Sequence, residues 1–267
     1  KYILTKFIPL TFFTSSVFPV YTDTVTIFNP DSGDPGAATV DGTHFASYGA
    51  NSGVDWATIR TVTGAPLTAF NGTDYNIIAY GEDNGDTDKF RNLMRSRFTF
   101  DTTSIPDTDT IDSATTTIWG TGKADPNSET PNVDLYMIVP TSSSTLTAAD
   151  YNAYGTTSQT GSPITYANWS TTGPNFFPLD TTGKGNIQKT AYTHFGTRNQ
   201  NFDVTGTVPD FIGGLVDETI TGLFADNDGT GACGSTTCND PRLTVIHSAA
   251  AAAAAGLNSK RKIMIVE

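Results

Sequence analysis

Glu82 to Asp88, reading EDNGDTD, place four carboxylates around one glycine. Calcium takes six to eight oxygens from a flexible loop, and Gly85 could supply the sharp turn. Asp83, Asp86 and Asp88 are the candidate ligands. The spacing is not that of an EF-hand, which needs a glutamate at the twelfth loop position. A second candidate is Asp226-Asn227-Asp228-Gly229, with Asp226 and Asp228 as ligands. Both stretches also consist of ordinary turn formers, so a solvated turn is the alternative. Calcium is the single cofactor that the sequence suggests.

Aromatic faces stack on the apolar faces of sugar rings. Trp56 follows the Asn51–Asp55 loop, and Trp169 sits in a polar stretch with Tyr166 nearby. Trp56, Tyr166 and Trp169 are the candidate sugar platform, provided that they are exposed. Trp119 lies on an alternating run and is expected in the core.

Other chemistry finds little support. His44, His194 and His247 are scattered and read as packed or surface residues. There is no G-x-S-x-G, no H-E-x-x-H and no P-loop. Acidic residues are plentiful, but nothing selects a glycosidase pair. No catalytic residue is assigned.

The chain of 267 residues carries a net charge of −12 and only 16% charged residues. A phosphate backbone would repel it, which argues against nucleic-acid binding. The acidity suits extracellular conditions, calcium or simple solubility. Thr, Ser, Asn, Asp and Gly dominate, and 16 Phe with 10 Tyr can fill a sandwich core. Cys233 and Cys238 are the only cysteines. They cannot complete a tetrahedral zinc site. A local disulfide between them, in an oxidising compartment, is the better reading.

Residues 1–23 open with Lys1 and Lys6 around an apolar run. They resemble a secretory signal, or else a first buried strand. Pro9, Pro19 and the short run argue against a membrane-spanning helix.

The chemistry, if any, must be positioned by short strands. Candidate runs are Thr24–Phe28, Trp56–Thr61, Tyr75–Tyr80, Ser96–Phe100, Ser113–Trp119, Val133–Val139, Phe176–Leu179, Thr219–Ala225 and Leu243–His247. Turn residues separate them, which predicts an all-β, jelly-roll-like antiparallel β-sandwich over residues 24–247. Thr147–Tyr154 and Gly183–Thr190 read as short helical turns. The period-2 rule makes Phe98 and Phe100 share one face, and likewise Leu243 and Val245. These four and Ile118 are the expected core. At Asp101-Thr102-Thr103-Ser104-Ile105-Pro106 the longest run should turn a corner and return in the other sheet.

Residues 248–267 differ. Seven alanines, Ala249 to Ala255, lead to a basic patch and the terminal run Ile263-Met264-Ile265-Val266. This reads as a tether and an extension strand that pairs through Ile263 and Ile265 with an open edge. A disordered tail is the rival reading.

Several pieces together resemble the DNRLRE-type domains, a jelly-roll family related to carbohydrate-binding modules. They are Arg97-Phe98, Asp101, Ile105-Pro106 and Ser113-Ala114; then Leu179-Asp180-Thr181, Phe195-Gly196 with Arg198, and Pro241-Arg242-Leu243-Thr244-Val245. Thr116 departs from the apolar residue usual there, and the Cys233–Cys238 loop looks inserted. The resemblance implies a β-sandwich on secreted, cell-surface or virion-like proteins.

The sequence therefore predicts a non-catalytic module, extracellular or on a cell or virion surface, that binds a glycan or surface polymer. The alternative is a structural subunit of a virion, filament or surface layer, a homo-oligomer joined by its C-terminal strand. A glycan-cleaving enzyme is a weaker third.

Overall fold

The computed structural model describes residues 22–28, 40–64, 67–71, 76–83, 86–211, 216–225 and 239–249. The possible signal or first strand before residue 22 lies outside them. So do Asp226, Asp228, Cys233, Cys238, Ile263 and Ile265.

The fold is all-β, antiparallel and sandwich-like. In chain order the strands are β1 (Thr22–Phe28), β2 (Gly42–Ser47), β3 (Leu67–Asn71), β4 (Asn76–Asp83), β5 (Asp86–Asp101), β6 (Thr110–Ala124), β7 (Val133–Ile138), β8 (Tyr154–Ser158), β9 (Pro174–Pro178), β10 (Tyr192–Asn199), β11 (Asp217–Gly222) and β12 (Arg242–Ser248). One sheet runs β1-β12-β6-β9. The other is built on β4, β5, β10 and β7, with β11, β2, β3 and β8 added.

The corner behaves as its residues predict. β5 ends at Asp101, whose carboxylate accepts from the amide and hydroxyl of Thr103. The chain turns through Ile105-Pro106 and enters β6 in the first sheet. β6 then links the sheets. Residues 110–119 pair with β12 and β9, and residues 120–124 pair with β11.

Between the sheets lies the main core. Phe98, Phe100, Ile118, Leu243 and Val245 are all fully buried there. Phe98 stacks on Phe224 with ring centres 5.4 Å apart. Trp119 is only half-buried, contrary to expectation. Ile118 takes the inward position, so its neighbour faces outward. Thr116, a polar residue on the same strand, is buried too.

The second sheet is covered on its other face too. There Trp56, Tyr80, Phe90, Phe202 and Phe211 form a separate aromatic cluster. A short helix, α1 (Trp56–Thr61), helps to cover it, where the sequence suggested a strand. The Asp55 carboxylate caps it, accepting from Thr58 N at 2.8 Å and from the Thr58 hydroxyl at 2.9 Å. Such a cap satisfies an otherwise unpaired helix N–H. Trp56 and Ile59, three apart, then bury on one side of the helix. A 3-10 turn at Ala148–Asn152 and the helix α2 (Thr181–Gly185) match the expected helical turns in type, though α2 starts earlier.

Candidate functional site

The aromatic platform does not form. Trp56 and Trp169 are each 2% exposed. The indole N–H of Trp56 donates to Phe202 O at 3.2 Å, and that of Trp169 to Thr221 O at 3.3 Å. With the polar atom satisfied, each ring is free to fill the interior, and neither offers a face to a sugar. Only Tyr166 keeps partial exposure. Its ring centre lies 4.7 Å from the Lys123 ammonium, which also bonds Tyr166 O at 2.6 Å.

Asp83 is committed elsewhere. Its carboxylate is buried and accepts from Asn51 N at 2.7 Å and Gly53 N at 2.6 Å. It thereby holds a turn in which Asn51 has φ +62°. Asp83 is opposite Asp86 in the β4–β5 pairing, and Asp88 is exposed. Among the described residues, no three His, Cys, Asp or Glu side chains converge as a metal site. Of the proposed calcium loop, Asp83 is thus engaged by the Asn51–Gly53 turn, while residues 84 and 85 and the Asp86 side chain lie outside the described residues.

The structure gathers charged side chains that the sequence did not single out. Asp203 lies in a π turn (Gln200–Val204) after β10 and is fully buried. Arg95 reaches it from β5, and Arg198 from β10. Arg198 donates through Nε to Oδ2 and through Nη2 to Oδ1, both at 2.8 Å. Burial alone would push this carboxyl up; the two guanidiniums outweigh it and hold it well below the usual range. The Arg95 guanidinium also lies 4.2 Å from the Tyr151 ring centre. This is a buried ionic core whose carboxylate oxygens are both hydrogen-bonded.

Beside it, Arg97 is buried and bonds Ser142 O, Thr145 O and the Thr99 hydroxyl. His44 Nδ1 shares a hydrogen bond of 2.8 Å with the Tyr154 hydroxyl. His194 lies between Thr99 Oγ1 at 3.1 Å and Ser143 Oγ at 3.4 Å. Burial first, and then the positive Arg97, lower both histidines to about 4. A serine beside a histidine suggests a nucleophile and its base. Here the third partner is a threonine hydroxyl, and Arg97 opposes the imidazolium that a base must become.

The accessible features belong to the first sheet. Among the described residues β1 pairs with β12 alone, which leaves its other edge open. Thr22, Asp23, Thr24 and Thr26 on β1 are exposed. Across the sheet Thr26, Thr244 and Thr115 stand in register, and the next row aligns Arg242, Thr117 and Phe176. Phe176 is 55% exposed and Ile246 37%. The end where β1 starts and β12 stops carries Asp23, Asp109 and Asp112. There His247 bonds Asp109 at 2.7 Å and Ser248 bonds Asp112 at 3.2 Å.

A shallow hollow between α2 and the start of β6 is lined by Thr110, Ile111, Lys184, Ile187 and Lys189. Its two ammonium groups tie down the corner. Lys184 bonds Asp112 O at 3.1 Å, and Lys189 bonds Asp109 O at 2.7 Å. No described helix is long and apolar enough to cross a membrane.

No family model matches this chain, and no curated protein matches it.

Proposed function

We propose that the protein is a non-catalytic structural subunit of an extracellular or particle-surface assembly. Neighbouring copies join when residues 263–266 of one add a strand to the open β1 edge of the next. The observation that carries this reading is that edge. An unpaired strand edge presents a row of backbone donors and acceptors that another strand can complete.

Two further features support it. β12 ends at Ser248 directly opposite Thr22, so the last described strand finishes beside the edge strand. Asp23, Asp109 and Asp112 mark that end, whereas the tail carries Lys260, Arg261 and Lys262 before its apolar run. Opposite charges steer and orient such a contact more than they tighten it. A glycan-binding reading would rest on Tyr166 alone, now that Trp56 and Trp169 fill the interior.

Sedimentation of the full chain, of a chain ending at Gly256 and of the double variant Ile263→Asp, Ile265→Asp tests this. The full chain should form oligomers that both variants lose. A full chain that is monomeric at about 50 µM would overturn the proposal. So would a variant whose only change is a lower melting temperature, since that places the strand on its own body.

A further inference from the structure

We propose that buried Glu218, set opposite the carboxyl of Asp125, is a proton-dependent latch: in acid it locks the 125–132 loop, and through it the Phe211 cover of the aromatic cluster, and near neutrality it loosens both.

Glu218 is fully buried on β11, directly across from Tyr80 on β4. Its Oε1 accepts from both N and Nδ2 of Asn127 at 2.9 Å. Its Oε2 meets no N–H or hydroxyl donor among the described residues. Thr219 of β11 pairs with Ala124 of β6, so the antiparallel register sets Glu218 and Asp125, the next residues along, opposite each other on one face. Two ionised carboxylates in contact away from water repel strongly, whereas one proton between them turns the contact into a hydrogen bond.

Asp125 is also the post on which the loop hangs. Its Oδ1 accepts from Glu129 N at 2.6 Å and its Oδ2 from Thr130 N at 3.0 Å. Within that loop Ser128 has φ +63° and Thr130 φ +52°. Non-glycine residues persist in this left-handed region only where surrounding contacts hold them. The loop in turn holds the next layer. Glu129 Oε1 accepts from Asp210 N at 2.6 Å, and the following residue, Phe211, stacks on Tyr80 with ring centres 5.7 Å apart. A push on Asp125 therefore reaches Phe211 through two short hydrogen bonds.

The titratable groups around the pair are mostly acidic, with one ammonium beyond them. Glu129 comes from the same loop, Asp210 from the segment before β11, Tyr80 from β4 and Tyr166 from its 3-10 turn. Lys123 of β6 lies at the Tyr166 ring, its ammonium held by the carbonyls of Tyr166, Ala167 and Trp169. Burial first, and then the Asp125 contact, raise Glu218 from 4.5 to about 7. A pKa raised in the folded state means stability that is full below 4.5 and lost as pH rises through about 7.

Amide hydrogen exchange of residues 125–132 and 205–211, corrected for intrinsic chemical rates, reads the lock directly. From pH 6 to pH 8 the opening of these segments should rise about tenfold, which is what this shift gives by linkage. Glu218→Gln keeps the size, the Oε1 acceptor and a donor towards Asp125, so it should stay locked at both pH values. Asp125→Asn should likewise lose the pH response. Opening in wild type that does not change with pH overturns the proposal, as does an equal change in Glu218→Gln. The same series at pH 8 with calcium or with EDTA should agree. Protection by calcium would also overturn it, because a cation would then bridge the two carboxylates.

Discussion

Arg95 and Asp203 are joined by two charge-assisted hydrogen bonds, Nε to Oδ2 at 2.8 Å and Nη2 to Oδ1 at 2.7 Å, with both side chains buried. The planar guanidinium matches the carboxylate fork, so the contact fixes orientation as well as distance. It pins the π turn after β10 onto the face of β5, and that turn brings Phe202 into the aromatic cluster.

Removing the acid should be costly, because it would leave Arg95 and Arg198 buried without their counter-charge. Asp203→Ala should lose about 3–5 kcal/mol in urea unfolding at pH 7. A loss under about 1 kcal/mol would show that water or relaxation replaces the carboxylate. Asp203 is depressed in the fold, so its contribution is present above the ordinary value of 3.8 and is lost as pH falls below it. Asp203→Asn should flatten that part of the acid limb.

The buried histidines give an opposite pH signature to Glu218. His44 and His194 are lowered from 6.5 to about 4, so folding favours their neutral forms. Their contribution is full above 6.5 and lost as pH falls through about 4. In proton-detected NMR both rings should still be neutral at pH 5.0, about one unit above the folded value and well below the unfolded one. Rings that titrate near 6.5 would place them in a solvated setting. Because these groups oppose Glu218 between pH 4.5 and 6.5, global melting alone cannot isolate the acid pair.

Trp169 should behave as a core residue. Trp169→Ala should destabilise by about 3–5 kcal/mol, in the same range as Phe100→Ala, as large-to-small core changes do. If Trp169→Ala keeps full stability but abolishes retention on a polysaccharide affinity gel, the ring acts at a surface and the burial argument fails.

Asp83→Ala tests the turn before α1. Two backbone amides would lose a buried acceptor, for about 1–3 kcal/mol of stability. Melting of the wild type should be the same in calcium and in EDTA, since the carboxylate is occupied by Asn51 N and Gly53 N. A rise of several degrees in calcium would return Asp83 to the list of ligands.

Strands and core were legible where the side-chain alternation was apolar. Phe98, Phe100, Leu243 and Val245 declared their faces by the period-2 rule, and Asp101 with Ile105-Pro106 declared the corner. β2, β3, β8 and β10 went unseen. β2 and β10 bury Thr43, Thr193 and Thr197, polar residues that break the apolar alternation by which a strand is read. The Trp56–Thr61 run is ambiguous for the same reason, since six residues are too few for periodicity to separate helix from strand. The Asp55–Thr58 cap decides it.

By itself the sequence determined the class of fold, the net acidity and part of the main core, namely Phe98, Phe100, Ile118, Leu243 and Val245, because these follow from composition and local alternation. Only the tertiary structure decided the fate of the polar and aromatic candidates. It turned Trp56 and Trp169 inward by giving each indole a carbonyl, and it spent Asp83 on two amides. It also brought Asp203 to Arg95, which lies 108 positions away, and Glu218 to Asn127, which lies 91 away. Such pairings depend on which strands become neighbours. No local pattern encodes that, and the low-dielectric interior is what gives the resulting contacts their charge states.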